Sequence, residues 1–189
     1  MEEHLTQKPS ACLKAVFFGP ESTGKTTLAK RLAGHFKTVW VEEYMREFLQ
    51  KKWDEEKERI QPKDLIIIAK GQIKRENYLS SIANKVLFCD TDLLQLKVYS
   101  EVYYNGYCNP DLLKAALNNW YDIYFLTNID TPWVPDDLRD KPHEREPMFQ
   151  RFRHTLQTTN RPFITLSGEE NERFETAVSK INELLKGQF

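Results

Sequence analysis

The sequence predicts an α/β fold in three layers, with a five-stranded parallel sheet and helices on both of its faces. Short apolar runs alternate with longer stretches of helical periodicity, which is typical of parallel strands joined by helices. A glycine-rich loop follows the first apolar run, and 189 residues suit one domain with one core. The runs that we predict as strands span residues 13–18, 38–41, 86–89, 123–126 and 163–166.

The segments between these strands predict the helices. Apolar residues recur at helical spacing over residues 27–36, directly after the first strand. Pro62 suits the first turn of a long helix over about 63–84. The other helices are expected to end near 103, before Asn105-Gly106, and to span about 110–120 and 169–186.

Three segments are expected to depart from this pattern. Residues 1–12 predict a polar, frayed leader, and the charge-dense stretch 53–59 predicts a solvated helix or loop. Residues from about 131 to 158 begin Pro-rich and charged, and we expect them to form a helical lid. Residues 13–189 are then a single domain.

Residues 19–26 read Gly-Pro-Glu-Ser-Thr-Gly-Lys-Thr and fit the phosphate-loop pattern G-x-x-x-x-G-K-[ST]. The strand before the loop and the helix after it are the context that this motif requires, which argues against a chance match. Gly19 and Gly24 allow backbone N–H groups to converge on one anion, and the helix N-terminus also favours phosphate. The motif therefore predicts a P-loop NTPase fold.

The same loop predicts ATP and Mg²⁺ as cofactors. Lys25 is expected to reach the β- and γ-phosphates, and the Thr26 hydroxyl is expected to bind Mg²⁺. The residues predicted to hold the nucleotide are Gly19, Glu21, Ser22, Thr23, Gly24, Lys25, Thr26 and Thr27.

Ligands of such sheets bind at the carboxyl ends of the strands, so the residues after each strand are candidates for function. Glu42, Glu43 and Arg46 follow the second strand. A carboxylate here could accept a proton from a substrate hydroxyl or hold a sugar diol, and Arg46 could hold a phosphate. The alternative is a helix start that favours acidic residues near its positive end.

Asp90 and Asp92 follow the third strand. Four apolar residues followed by Asp is the second element of phosphate-loop sites, in which the carboxylate holds Mg²⁺ directly or through water. We therefore predict Asp90 as a metal ligand. Asp92 could be catalytic or could cap the following helix. As general base, Asp90 or Asp92 is preferred over Glu42 and Glu43, although the sequence does not decide among them.

Arg139 and Arg145 follow the fourth strand, on the predicted lid. Arginines that close over a transferring phosphoryl group would stabilise its charge, whereas the neighbouring acidic residues favour a solvated charge cluster. Trp133, in a Pro-flanked loop, could stack on a flat or cationic ring. Gln72 and Glu76 share one helical face and could line the same cleft or face solvent.

Composition excludes several classes of function. The net charge of −1 provides no electrostatic case for binding nucleic acid or a membrane, and no run of 18 apolar residues predicts a membrane span. The acidic N-terminus is unlike a signal peptide. The three cysteines lack metal-ligand spacing and are expected to be reduced thiols of a cytoplasmic protein.

The pattern resembles the ribosylnicotinamide kinase domain of the NadR family from about residue 14 to 185. Beyond the phosphate loop, the resemblance is carried by Glu42-Glu-Tyr-Met-Arg-Glu47, Ala69-Lys-Gly-Gln72, Cys89-Asp-Thr-Asp92, Asp130-Thr-Pro-Trp133 and Asp136-Asp-Leu-Arg139. It implies a nucleoside-kinase-like fold and transfer of the ATP γ-phosphate to the ribose 5′-hydroxyl of nicotinamide riboside. It also implies substrate contacts at Glu43, Tyr44, Arg46, Gln72, Asp90 and Trp133.

Three alternative functions differ from this one in the sequence features that they require. A kinase for another nucleoside is hard to distinguish by sequence, because a base pocket is built from scattered residues. A regulatory or motor NTPase is disfavoured, since Asn-Lys-x-Asp is absent after the fourth strand and Asp90-Thr91-Asp92 stands where a motor has Asp-Glu. A non-catalytic nucleotide-binding module would have no need of lid arginines.

Overall fold

The computed structural model describes residues 5–134 and 142–187. The strands are β1 (Leu13–Phe18), β2 (Trp40–Val41), β3 (Val86–Asp90), β4 (Ile123–Thr127) and β5 (Phe163–Leu166). The helices are α1 (Lys25–His35), α2 (Tyr44–Glu56), α3 (Asp64–Ser80), α4 (Leu93–Tyr103), α5 (Pro110–Asn118), α6 (Arg145–Thr158) and α7 (Glu170–Lys186). A short 3₁₀ turn, Pro142–Glu144, precedes α6.

All strand pairs are parallel, and the strand order is β2-β3-β1-β4-β5. Phe17 of β1 pairs with Asp90 of β3 on one side and with Phe125 of β4 on the other. The carboxyl ends of these three central strands therefore meet at one edge of the sheet. The predicted three-layer fold with a five-stranded parallel sheet is confirmed.

Side chains of β1 alternate between two cores, one on each face of the sheet. Val16 and Phe18 face the core that α3, α4, α5 and α6 cover, whereas Ala15 and Phe17 face the core under α1 and α7. All of these side chains are fully buried. A central strand buried on both faces reads as the continuous apolar run seen in the sequence.

One predicted strand boundary differs from the structure, whereas the charge-dense stretch 53–59 agrees with its prediction. Strand β2 is shorter than predicted because Thr38 uses its side chain: its hydroxyl donates to the Val86 carbonyl at 2.7 Å and accepts the Asn84 N–H at 2.9 Å. Residues 53–56 form the exposed end of α2, in agreement with the predicted solvated helix or loop, and the preceding Lys52 pairs with Asp64 at 2.7 Å and ties the end of α2 to the start of α3.

Helix α6 is part of the core, although the lid was predicted to include it. Phe152 is fully buried and meets Phe18 of β1 and Tyr99 of α4 edge to face, with ring centroids 4.9 and 5.5 Å away. Met148 and Leu156 share this buried face. A lid that moves residues 131–158 as one unit would have to break this packing, so we restrict the predicted lid to the segment before α6.

The N-terminal segment is anchored from Leu5 onward, which corrects the prediction of a frayed leader. Asn119 donates to the Leu5 carbonyl at 3.2 Å, and Asn77 donates to the Thr6 carbonyl at 3.0 Å. The Gln7 side chain accepts from the Trp120 N–H at 2.7 Å. Side-chain amides on α3 and after α5 therefore replace the backbone partners that this segment lacks.

Glu76 lies beneath this anchored segment, in neither the cleft nor solvent. It is fully buried and accepts hydrogen bonds from Lys14 at 2.9 Å, from Gln7 at 2.7 Å and from the Tyr121 hydroxyl at 2.7 Å. Three donors satisfy the carboxylate, so its burial is tolerated.

Glu76→Gln keeps the shape of the side chain but leaves Lys14 charged and buried without its partner. We expect the free energy of unfolding, measured in urea, to fall by about 3 kcal/mol. Glu175→Gln, on the exposed face of α7, is the control and should change it by less than about 0.5 kcal/mol. Equal effects of the two substitutions would contradict a structural role for the buried pair.

Candidate active site

The phosphate loop joins β1 to α1 at the carboxyl edge of the sheet. Gly19, Ser22 and Gly24 have φ of +139°, +56° and +81°. A Cβ at Gly19 would lie 2.8 Å from the Thr127 hydroxyl, so only glycine fits against β4 there. Gly24 borders open space, where a Cβ would meet nothing within 4 Å. The rear of the loop, at Gly19, therefore packs closely against β4, whereas the front of the loop, at Gly24, is open.

Lys25 and Thr26 begin α1 at this open side. The Lys25 ammonium donates to the carbonyls of Gly19 and Pro20 at 2.9 and 2.6 Å, and so folds back over the loop. The Thr26 hydroxyl donates to Asp90 Oδ2 at 2.5 Å. The two predicted metal-binding residues are thus brought together from the start of α1 and the end of β3.

Thr23 has a different environment from its neighbours in the loop. It is 1% exposed, and its hydroxyl donates to the Pro20 carbonyl at 2.8 Å and lies 2.6 Å from the Thr127 hydroxyl. The side chain therefore faces the interior of the fold, and its predicted contact with the nucleotide is reduced to its backbone.

Glu43 faces the phosphate loop across a cavity of about 130 Å³, and Asp90 is hydrogen-bonded to Thr26, which also lines that cavity. Burial, together with the nearby Asp90 charge and against the opposing charges of Lys25 and Arg46, raises the pKa of Glu43 to about 7. Burial also raises the pKa of Asp90, against the effects of Lys25 and of the Thr26 hydroxyl. Asp90 Oδ1 is buried without a hydrogen-bond partner among the described residues, so it is available to a ligand.

Asp92 has the capping role that the sequence left as an alternative. Its Oδ1 accepts the Gln95 N–H at 2.9 Å and its Oδ2 accepts the Tyr124 hydroxyl at 2.7 Å. Thr91, at φ +69°, turns the chain between the two aspartates, so that Asp90 faces Thr26 and Asp92 faces α4. Because both oxygens of Asp92 already have partners, we do not assign proton transfer to this residue.

Gln72 and Tyr44 occupy different positions relative to the cleft. Gln72 Oε1 accepts the Tyr44 N–H at 2.8 Å, whereas its Nε2 is buried without a partner in the described part of the chain. That amide borders a narrow cavity beside Glu43 and Thr91. The Tyr44 ring packs on Gly71, where a Cβ would come within 2.2 Å, and under Arg75. Tyr44 therefore positions α2, and a substrate contact by its ring is not supported.

Arg145 and Trp133 lie at the rim of the loop. Arg145 donates to the carbonyls of Thr131 at 2.8 Å and Ser22 at 3.2 Å, and its guanidinium lies 5.8 Å from the Trp133 ring centre. Here Arg145 holds the loop backbone. Arg139, the other predicted lid arginine, lies outside the described residues.

An aromatic cleft continues from this site and was not predicted. Its cavity volume is about 350 Å³, and its walls include Trp53, Tyr99, Tyr103 and Tyr104 together with Glu21 and Glu58. Trp53 and Tyr103 are 43% and 40% exposed, which is unusual for large aromatic side chains. The four-residue spacing of Tyr99 and Tyr103 on α4 was the available signal.

Asp90→Asn removes the charge that Thr26 contacts and leaves a side chain of equal size. We expect the Mg²⁺ concentration for half-maximal activity to rise about tenfold or more, with an unchanged circular dichroism spectrum. Asp111→Asn, at the start of the distant helix α5, is the control. An unchanged Mg²⁺ requirement in Asp90→Asn would remove Asp90 from the metal site.

The sheet order, the loop and the acidic strand end define a P-loop nucleotide-binding protein with the fold of nucleoside and nucleotide kinases. Residues 14–173 match the family model AAA_28, described as an AAA domain, and the chain belongs to that family. Among the described residues, no helix is both long and apolar enough to cross a membrane.

Two groups of known proteins are similar to this chain. It is 28% identical over 185 residues to the trifunctional NAD biosynthesis/regulator protein NadR of Escherichia coli K12, covering 96% of this chain but 45% of that protein. A crystal structure of NadR in complex with NR has a TM-score of 0.70 at 19% identity, over 92% of this chain and 50% of that one. Deoxyadenosine kinase from M. mycoides has a TM-score of 0.64 at 16% identity, over 90% and 100%. The chain spans about half the length of its curated relatives.

Proposed function

We propose that this chain is an ATP-dependent kinase that phosphorylates the ribose 5′-hydroxyl of nicotinamide riboside to give nicotinamide mononucleotide. The observation that carries the proposal is the cavity in which Lys25 and Thr26 face Glu43, with Asp90 hydrogen-bonded to Thr26. A phosphate-binding end and a proton-accepting end thus share one space. The likeness to NadR, which has been crystallised with NR, supports the choice of nucleoside.

The phosphoryl donor would bind in front of the loop. Lys25 would exchange its loop carbonyls for the β- and γ-phosphates, where its charge opposes the charge of the transferring group. Thr26 and the open oxygen of Asp90 fit Mg²⁺, which prefers hydroxyl and carboxylate oxygens. A bound Mg²⁺ would neutralise phosphate charge.

We assign proton acceptance from the substrate hydroxyl to Glu43. A carboxyl group with a pKa of about 7 is half ionised near neutral pH, which suits a general base. Asp92 is excluded by its two existing partners, and Asp90 is engaged with Thr26. Arg46, beside Glu43, would hold the same carboxylate or the product phosphate.

The aromatic cleft would receive the base of the nucleoside. A pyridinium ring is flat and positively charged, so it gains from aromatic faces and from nearby carboxylates. Tyr99 and Trp53 supply faces, and Glu21 and Glu58 supply two negative charges against the positive charge of Arg59, which also lines the cleft. The base would then lie in the cleft, away from Trp133, whose ring is near Arg145. A cytoplasmic location would fit the three free cysteines.

The test is a kinase assay with Mg·ATP and nicotinamide riboside beside adenosine, uridine, cytidine and thymidine, in which ADP and phosphorylated product are both measured. We expect product from nicotinamide riboside and little from the neutral nucleosides. Preferred phosphorylation of another nucleoside would keep the kinase and change its substrate. ADP without any phosphorylated nucleoside would instead indicate an uncoupled NTPase.

A further inference from the structure

A buried arginine from the C-terminal helix supports the phosphate loop from behind. Arg173, in the first turn of α7, is 1% exposed and therefore fully enclosed. It lies far from the loop in sequence, 150 residues from Thr23, and none of the motifs points to it. Placing a guanidinium in the interior is costly unless nearly every donor has an acceptor.

The acceptors of Arg173 come from three separate segments. Its Nη1 donates to the Thr23 carbonyl at 3.0 Å, its Nε to the Gly168 carbonyl at 2.8 Å, and its Nη2 to the Asn128 carbonyl at 3.2 Å. Nη2 also forms an ion pair with Asp130. One side chain thus joins the phosphate loop to the ends of β4 and β5.

The helix does not need this guanidinium to begin. A capping box formed by Glu169 and Glu172 already satisfies the start of α7. Ala177 and Ile181 bury the helix against the sheet and are fully enclosed. Arg173 is therefore additional to what holds α7 in place, and its contact with Thr23 needs another explanation.

The geometry of the peptide bond explains the contact between Arg173 and Thr23. In a planar trans peptide, the carbonyl and the N–H of the next residue point in opposite directions. Holding the Thr23 carbonyl at the rear directs the Gly24 N–H towards the open front of the loop. Arg145 holds the Ser22 carbonyl in the same way and so orients the Thr23 N–H. Both N–H groups belong to the segment that would bind phosphate.

We propose that Arg173 is a positioning residue for the nucleoside triphosphate, which orients the Thr23–Gly24 peptide of the phosphate loop from behind. Glycine at 24, with φ of +81°, leaves that peptide free to rotate, so an external constraint is needed. The inference rests on the triphosphate site of the proposed function but not on the identity of the nucleoside.

The test is binding of Mg·ATP by titration calorimetry to the full chain carrying Arg173→Met. Methionine fills a similar volume, so the helix is expected to stay packed. We expect the dissociation constant for Mg·ATP to rise about tenfold or more, because misplaced backbone donors lose much of their effect. Arg173→Lys, which retains a charged donor, should recover part of the affinity.

Ile181→Ala is the matched control, because it lies two turns further along the same buried face of α7 and does not contact the loop. It should lower the melting temperature by at least as much as Arg173→Met and leave the affinity for Mg·ATP unchanged. Equal affinities in Arg173→Met and Ile181→Ala would overturn the proposal and leave Arg173 a purely structural residue. Because nucleotide binding is measured without an acceptor, this outcome is independent of whether nicotinamide riboside is the substrate.

Discussion

Replacing Lys25 by alanine is expected to lower kcat by about 10²-fold or more, with little change in stability. Lys25 Nζ lies 2.6 to 2.9 Å from two carbonyls of the phosphate loop, so its charge is next to the loop that is predicted to bind the anion. In phosphoryl transfer the catalytic gain comes mainly from positioned charge, and no other described lysine lines this cavity. The measurement is steady-state turnover with Mg·ATP and nicotinamide riboside.

Lys30→Ala provides the matched control on the same helix. Its ammonium lies over the Trp40 ring at 5.2 Å, on an exposed position away from the loop. Turnover of Lys30→Ala should match that of the parent protein within a factor of about two, since a surface charge at this distance is screened by salt. Retained turnover in Lys25→Ala would mean that the loop is not the site of phosphoryl transfer.

Glu43→Gln is expected to lower kcat by roughly 10²- to 10⁴-fold, which is the range for loss of a general base. The affinity for the nucleotide should not account for this loss. Glutamine keeps the size and hydrogen-bonding ability of the side chain but cannot accept the proton. Glu42→Gln is the control, since Glu42 is the exposed neighbour in the sequence. Similar rates for Glu43→Gln and the parent would transfer the role of base to Asp90.

The pH dependence provides a second test of Glu43. The base must be ionised, so kcat/KM should rise with pH through about 7 and level off above it.

The stability of the protein should also depend on pH. Because the folded-state pKa of Glu43 exceeds the usual value of 4.5, the folded state binds more protons than the unfolded state between these two values, and stability falls as pH rises from about 4.5 to 7. Glu43→Gln should remove both dependences and make the protein more stable than the parent above pH 7. A flat parent profile between pH 5 and 8 would contradict the assignment.

Local sequence patterns predicted the elements of the fold and the phosphate loop. The alternation of apolar runs and helical segments predicted a parallel sheet, and the phosphate loop after β1 brings Thr26 to Asp90 at the end of β3. Such predictions succeed because strands, helices and phosphate loops depend on neighbours within a few residues.

The predictions that failed concern residues whose contacts come from distant parts of the sequence. Glu43 and Asp92 are both acidic residues just after strands, yet Asp92 turns inward to Tyr124 and Glu43 faces Asp90 and Lys25. Residues 5–8 were predicted to be frayed because their side-chain partners, Asn77 and Asn119, are about 70 and 110 residues away. Helix α6 was predicted as part of the lid because of its many polar residues, whereas its apolar face is buried and packs on β1.

By itself, the sequence determined the class of fold, the phosphate loop and the edge of the sheet at which the candidate site lies, since these follow from short-range periodicity and from the conformations open to glycine. Only the tertiary structure decided which carboxylate is available, where the aromatic cleft lies and that Arg173 supports the loop. The physical reason is that burial, pKa and satisfaction of a buried charge depend on what surrounds a group in space, and those neighbours come from distant parts of the chain.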